Sequence, residues 1–387
     1  MVSRRGIDLR VIQVVREFSL QGGVEAVAYQ LQCEWRRLAV PAIALTGSTL
    51  DCGVDVKLVK APFQSLKVRG SSYLKYLHIM LAVPTFSLVA TLSVRWLRKD
   101  TDVILSHGDT LVGDALVVHA VNKAGLRAKL AAKQYRWLFN PMHLWVAWRD
   151  QHMIGGLRYQ LYIAISRKIA NELRELYHVP ADRIVMIPNG VDVTRFAPGV
   201  GGRDSVRNHF AIPSHCHLLL FVGHEFQRKG LAFVIEALST LPGFYLLVVG
   251  NDDPSRYQRQ AEEVGVLDRI AFAGPRSDLP ALYQAADALV FPTIYEAFPL
   301  VAIEAMASGL PVFATAVGGI EDYIVHGENG YFIERNADSI ARQLAAFFAE
   351  PSQVAVIREN ARKTALNYSW ENIAKQYLQA LAPLSAR

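Results

Sequence analysis

Short apolar runs alternate with longer amphipathic stretches along most of the chain, the pattern of βα units wound around parallel sheets. In the first half Leu9–Val15 predicts a strand, Gly22-Gly23 a turn and Val24–Leu38 a helix. Further strands are expected at Ala42–Leu45, Val103–Ser106, Leu116–His119 and Leu161–Ile165. Ser166 then caps a helix running to about Tyr177, and Ile184–Ile187 is a strand stopped by Pro188-Asn189-Gly190. Residues 197–216, with several Gly and Pro, read as linker and entry to a second unit. Beyond them the pattern restarts. Strands are predicted at Leu218–Val222, Tyr245–Val249, Ile270–Ala273, Ala288–Phe291 and Val312–Thr315. Helices fall at Leu231–Leu238, Arg256–Val264, Leu279–Ala285 and Leu300–Ala307. The fold class is therefore α/β, two doubly wound domains facing each other across a cleft, with ligands beyond the carboxyl ends of the strands.

Composition sharpens this. A chain of 387 residues exceeds one ordinary core, and 51% hydrophobic with 20% charged residues excludes a disordered or fibrous protein. The formal charge of +6 is unevenly placed: residues 1–190 hold 25 Lys/Arg against 14 Asp/Glu, residues 191–387 hold 16 against 21. A basic half joined to an acidic half points to a localised anionic partner. Cys33, Cys52 and Cys216 form no metal-ligand spacing, so a reducing cytoplasm is expected, with no metal site. Charges at Arg4, Arg5, Asp8 and Arg10 leave no room for an apolar signal core, so export is not expected. The run Leu77 to Val94 is borderline in length for a membrane span; His78 and Pro84 favour a buried or membrane-facing helix.

The densest chemistry lies at Glu296-Ala297-Phe298-Pro299-Leu300-Val301-Ala302-Ile303-Glu304. Pro299 suits the first helical position and Gly309 the far end. The first turn leaves N–H groups free, with donors expected from Phe298, Leu300 and Val301, an anion site suited to a diphosphate. Glu296 precedes the helix and Glu304 lies in its second turn, too far apart for a carboxylate dyad. Spacing alone leaves open a capping carboxylate and a solvent-facing one. Upstream, Phe221-Val222-Gly223 leads to Arg228-Lys229-Gly230, either surface charge or a fork and a point charge for a leaving diphosphate.

These segments resemble glycosyltransferase family 4, retaining enzymes of the GT-B fold. The resemblance rests on E-A-F-P-L-V-A-I-E-A-M-A-S-G-L-P-V, on R-K-G after the first strand of the second half, and on Ile187-Pro188-Asn189-Gly190-Val191-Asp192 at the domain junction. Gly22-Gly23-Val24-Glu25 and Tyr368-Ser369-Trp370-Glu371 match in the same way. It implies an acceptor-binding domain over 1–195, a nucleotide-sugar domain over 196–367 and a helix over 368–387 crossing back to the first. By the same resemblance Glu296 meets the donor sugar hydroxyls, Glu304 the ribose, and Arg228 and Lys229 the diphosphate. Phe298, Pro299, Leu300 and Val301 line phosphate and sugar. Gly22, Gly23 and Glu25 form the first-domain donor loop, and Gly223, Gly274 and Arg276 approach the donor, Gly274 at its base. His119 takes the place of the histidine that contacts the transferred sugar, with His107 its rival. Two departures stand out: His224 replaces a common Arg, which makes donor binding sensitive to pH, and E-A-F-P replaces E-G-F-G.

The resemblance further implies hexose transfer with retention, no metal and no cofactor, by front-face attack in which the leaving phosphate oxygen takes the acceptor proton. UDP is favoured as the nucleotide; a GDP-mannose donor is the alternative. From Val56 to Lys99 there are eight Lys/Arg and no acid, and from Ala115 to Arg149 six and none. Trp96, Trp137, Trp145 and Trp148, with Tyr73, Tyr76 and Tyr135, interleave with them, which suits an anionic bilayer surface. A lipid-linked saccharide acceptor, in lipopolysaccharide or exopolysaccharide synthesis on the cytoplasmic face of the inner membrane, is the resulting expectation. A basic nucleic-acid-binding module does not explain the acidic second half, and nucleic acid is not an expected partner. A dehydrogenase lacks its GxGxxG after the first strand.

Overall fold

The computed structural model describes residues 9–19, 22–49, 55–63, 72–131, 140–199 and 201–385. Cys52, Tyr135, Trp137 and the side chains of Tyr73 and Tyr76 lie outside the described residues. The chain divides into two compact units, Met1–Asn189 with Trp370–Arg387, and Gly190–Ser369. Residues 190–195, counted above with the first domain, thus pack with the second, where Val191 N–H donates to Tyr368 O at 2.8 Å.

In the first unit β1 (Arg10–Val14), β2 (Glu17–Phe18), β3 (Ala42–Thr46), β4 (Ser48–Thr49), β5 (Val56–Leu58), β6 (Asp102–Ser106), β7 (Ala115–Val118), β8 (Leu161–Ala164) and β9 (Ile184–Met186) follow in turn. Seven form one parallel sheet in the order β5-β3-β1-β6-β7-β8-β9, while β2 and β4 pair separately. The central strands are buried along their length, which is why they read as continuous β-branched and Leu runs. Gln13, fully buried in β1, breaks the rule. Helix Val24–Arg37 turns Val27, Ala28, Leu31 and Trp35 inward. The C-terminal helix Trp370–Leu381 packs on it: Trp35 Nε1 donates to Ala374 O at 3.3 Å, and its ring meets Tyr377 edge-on.

The apolar run Leu77 to Val94 belongs to one long helix, Ser72–Leu97, interrupted in composition by Pro84. Ala82, Phe86, Ala90 and Val94 recur every four residues and are buried, the last three packing with Ile12, Leu45 and Ile104. Leu74, Leu77, Leu81, Leu88, Leu92 and Trp96 form the opposite, exposed stripe.

The second unit contains β10 (His217–Val222), β11 (Phe244–Val249), β12 (Ile270–Gly274), β13 (Ala288–Phe291), β14 (Val312–Ala314) and β15 (Tyr331–Phe332), parallel in the order β12-β11-β10-β13-β14-β15. Predicted strand ends in both units lie within one or two residues of these. The stretch 197–216 enters this unit through a helix. Helix Arg203–His209 lies inside it, held because Arg203 and Arg207 reach Asp287 at 2.7 and 3.2 Å and Arg207 also donates to Ala285 O at 3.1 Å. In each sheet the chain winds outward, returns to the centre and winds the other way. The order reverses between β1 and β6 and between β10 and β13, the switch points where crevices open at carboxyl ends.

Candidate active site

At the β10/β13 switch point the chain leaves β10 through Gly223 (φ +149°) and Glu225 (φ +57°) into the short helix Phe226–Lys229. A Cβ on Gly223 would stand 2.3 Å from Lys229 Cδ, so only glycine lets the lysine cross here. Lys229, buried, donates from Nζ to Glu296 Oε1 at 2.9 Å and lies 4.4 Å over the Phe291 ring centroid. Arg228 Nη1 donates to the same oxygen at 3.1 Å and to Tyr295 O at 2.6 Å, while its Nε meets Glu225 at 2.8 Å. Thr293 Oγ1 adds a third donor to Glu296 Oε1 at 3.1 Å. Burial pulls the Lys229 ammonium below its ordinary value, with Glu296 opposing. For Arg228 burial acts in the same sense, but Glu296 and Glu225 outweigh it and raise the value. Glu296, assigned by the resemblance to the donor sugar hydroxyls, is also the residue on which the two cations converge.

The loop carrying Glu296 is fixed by a pair that the sequence reading passed over. Gly318 (φ +59°) lies where a Cβ would fall 1.7 Å from Glu296 O, and Gly319 N–H donates to Ala297 O at 3.1 Å. The glycine doublet after the strand ending at Ala314 was the available signal. Phe298 is buried against Tyr323 and Tyr368. Pro299 is not the first helical residue. It caps the helix Leu300–Ala307 with φ −78° and ψ 109°, because the chain must leave the Glu296 loop in extended form before it coils. The first-turn amides of Leu300 and Val301 have no acceptor within their own helix. Gly309, at φ +71°, terminates it.

Glu304, on the second turn, accepts from Tyr283 Oη at 3.0 Å. Burial lifts its carboxyl to about 7, against the opposing pull of the Tyr283 hydroxyl and Arg195. Gly274 ends β12 at φ +65°, and its carbonyl accepts from Gly250 N–H at 3.0 Å. Arg276 is engaged with Asp278 through a double contact at 2.8 and 2.6 Å. His224 Nδ1 accepts from Asn251 N–H at 3.0 Å.

The β1/β6 switch point of the first unit holds a cavity of about 280 Å³. Arg16, Glu25, His107, Asp109, His119 and Arg149 are among its lining. Gly22 (φ +99°) brings the turn so close to the Glu25 carboxylate that a Cβ would sit 2.4 Å from Oε2, and Gly23 follows at the start of the helix. Asp109 accepts from Arg16 N–H at 2.8 Å, and burial raises its carboxyl. His107 and His119 stand side by side. Their rings stack at 5.5 Å, and His107 Nδ1 lies 3.2 Å from His119 Nε2. His119 stands one residue beyond β7 rather than within it. Burial depresses both imidazoles, His119 to about 4 and His107 well below its ordinary value, with His119 adding to the effect on His107. Asp109, Arg16 and Arg149 were missed, since only the fold brings the exits of β1 and β6 to the end of helix Pro141–Asp150.

Comparison with known proteins bears on both units. The Glycosyltransferase Family 4 model matches residues 21–195, and the model for glycosyl transferases group 1 matches residues 202–364. A D-inositol 3-phosphate glycosyltransferase of Corynebacterium urealyticum is 31% identical over 224 residues, covering 54% of this chain and 53% of that protein. The chain spans about half the length of the curated relatives it matches. Among solved structures, WaaG, a glycosyltransferase involved in lipopolysaccharide biosynthesis, superposes with a TM-score of 0.75 at 21% identity, over 96% of this chain and 99% of that one. Anabaena HepE in complex with UDP and glucose superposes at 0.69 and 18% identity, over 97% and 99%. These likenesses are of fold, and the fold is GT-B.

Proposed function

The chain belongs to the glycosyltransferases that join a family 4 domain to a group 1 domain, and on that premise we propose that it moves a hexose from a UDP-sugar to a lipid-linked saccharide. In this reading the anomeric configuration is retained and neither metal nor cofactor is needed. The observation that carries it is the convergence of Lys229, Arg228 and Thr293 on one oxygen of Glu296, beside the open amides of Leu300 and Val301. Cations fixed before the ligand arrives need no reorganisation when charge develops on a leaving diphosphate, and the low-dielectric setting of Lys229 strengthens them. The first-turn amides take phosphate oxygens. Glu296 takes a hydroxyl of the donor sugar, Glu304 the ribose hydroxyls, and His119 a hydroxyl of the transferred sugar. The acceptor hydroxyl attacks from the leaving-group face and passes its proton to the departing phosphate oxygen.

The lipid-linked acceptor and a peripheral position on the inner membrane belong to the same proposal. Their support is the exposed stripe of helix Ser72–Leu97, in which Trp96 is 92% exposed. Lys57, Lys60 and Arg95 stand exposed near its C-terminal half, and Lys57 and Lys60 share a groove with Leu92 and Trp96. An apolar strip with interfacial Trp and a basic rim suits an anionic headgroup layer. UDP is favoured because HepE, of like fold, holds UDP and glucose; a lipopolysaccharide or exopolysaccharide product rests on the likeness of fold to WaaG.

The test is a panel of UDP-, GDP- and ADP-sugars scored by thermal stabilisation and by nucleotide release. UDP-hexoses should stabilise the protein and be consumed when a lipid-linked saccharide is supplied. Native protein that neither binds nor turns over any member of the panel overturns the proposal.

A further inference from the structure

Two buried glutamines reach the cavity of the first unit without touching it. Gln13 is fully buried in β1 and Gln32 nearly so on helix Val24–Arg37. Gln32 Nε2 faces two backbone carbonyls, Ala42 O at 2.8 Å and Asp55 O at 3.3 Å. Carbonyls only accept, so this end of the amide is the NH2 group and Oε1 points the other way. That Oε1 receives Gln13 Nε2 at 2.6 Å, and the same Nε2 also donates to Ala28 O at 3.0 Å. Gln13 is thereby left with its Oε1 towards His107, whose Nε2 lies 3.2 Å away. An oxygen that only accepts requires a proton on His107 Nε2, and a neutral ring then has a lone pair on Nδ1. His119 Nε2, 3.2 Å from that lone pair, must be the N–H. The ring nitrogen of His119 left for a ligand is Nδ1, and it is unprotonated.

We propose that Gln13, Gln32 and His107 are positioning residues that hold His119 in one neutral tautomer, with an accepting Nδ1 presented to the cavity. The group recognised there is a hydroxyl that donates; a phosphate or carboxylate oxygen, which only accepts, is refused. This deepens, and rests on, the reading of His119 as a contact to the transferred sugar. Protonating the pair would set N–H against N–H at the His107–His119 contact. Arg16, Glu25, Asp109, Arg149 and Asp150 line the same cavity, so its charges are mixed, and the tautomer is dictated by the carbonyls of Ala28, Ala42 and Asp55. A buried acceptor left without its donor is costly, which makes the chain hold as a unit.

Long-range 1H–15N NMR of the full chain labelled at histidine reads this directly, with signals assigned from the spectra of His107→Gln and His119→Gln. Both rings should be Nε2–H tautomers at pH 7 and stay so from pH 8 to 5.5. In Gln13→Met no acceptor remains for His107 Nε2–H, and both His107 and His119 should show mixed tautomers. With sugar donor, Gln13→Met should lower kcat/KM by about tenfold. A wild-type His119 found as Nδ1–H or as imidazolium, or an Nε2–H form unchanged in Gln13→Met, overturns the proposal. The NMR readout does not depend on turnover, so absence of sugar transfer would overturn the proposed function while the tautomer result stood.

Discussion

Lys229 and Glu296 are 67 positions apart in sequence, yet the lysine Nζ donates to the carboxylate at 2.9 Å. The contact crosses the switch point of the second sheet, so each residue arrives on a different strand's exit loop. Removing the carboxylate leaves two cations facing each other in a half-buried setting. Glu296→Ala should cost about 2 kcal/mol of stability and slow transfer by roughly two to three orders of magnitude. Lys229→Met, which keeps the packing on Phe291, should lose turnover to a like degree with a smaller stability cost. Denaturant titration and nucleotide-release rates measured together separate the two; near-normal rates in both variants would remove the cluster from the chemistry.

Two glycines near this cluster should respond differently to the same methyl group. At Gly318 the new Cβ meets the backbone oxygen of Glu296, which cannot move without the loop. Gly318→Ala should destabilise by about 3 kcal/mol or more. At Gly223 the obstacle is the flexible stem of Lys229. Gly223→Ala should cost about 1 kcal/mol yet still reduce activity, because the lysine is pushed off Glu296. Equal melting temperatures for the two variants would contradict this.

With Glu304 as the proposed ribose ligand, stability and donor binding should depend on pH in opposite senses. Its carboxyl is raised by burial to about 7 in the folded chain. The native state therefore holds the proton more tightly than the unfolded chain, whose carboxyl titrates near 4.3. That contribution is fully present below the unfolded value and is lost as pH rises through about 7. Ribose hydroxyls prefer the ionised form, so nucleotide affinity should increase from pH 6 to 8. Glu304→Gln should flatten both profiles. Tyr283→Phe, which removes a donor to the carboxylate, should move the midpoint upward. Calorimetric titrations of UDP across this range provide the measurement.

The exposed stripe predicts a membrane phenotype without a folding phenotype. Leu92→Asp with Trp96→Asp changes side chains that are 59% and 92% exposed, so stability should shift by no more than about 0.5 kcal/mol. Sedimentation with vesicles containing anionic lipid should fall by about tenfold or more, since two apolar anchors become charges. Equal binding of the wild-type chain to neutral and anionic vesicles would argue against the basic rim.

Much of this architecture was legible before any coordinates. Strand Ala288–Phe291 announces itself as a continuous apolar run because it is buried along its length, and helix Leu231–Leu238 through buried positions three and four apart. The Glu296–Glu304 segment was equally visible. What stayed hidden depends on distance in sequence. No local pattern indicates that Arg203 and Arg207 seek Asp287, which turns an expected linker into a helix. The pairing of His107 with His119 needs β6 and β7 side by side, and the roles of Gln13 and Gln32 need three backbone carbonyls in place. Pro299 was misplaced by one position because its fixed φ suits a helix cap as well as a first turn.

Because Trp370–Leu381 completes the first unit, that unit is assembled from segments on either side of Gly190–Ser369. During translation the indole of Trp35 emerges early, but the backbone of Ala374 that accepts its N–H leaves the ribosome only after all of Gly190–Ser369. The nascent sheet of the first unit must therefore wait with an uncovered helix while the second sheet is made.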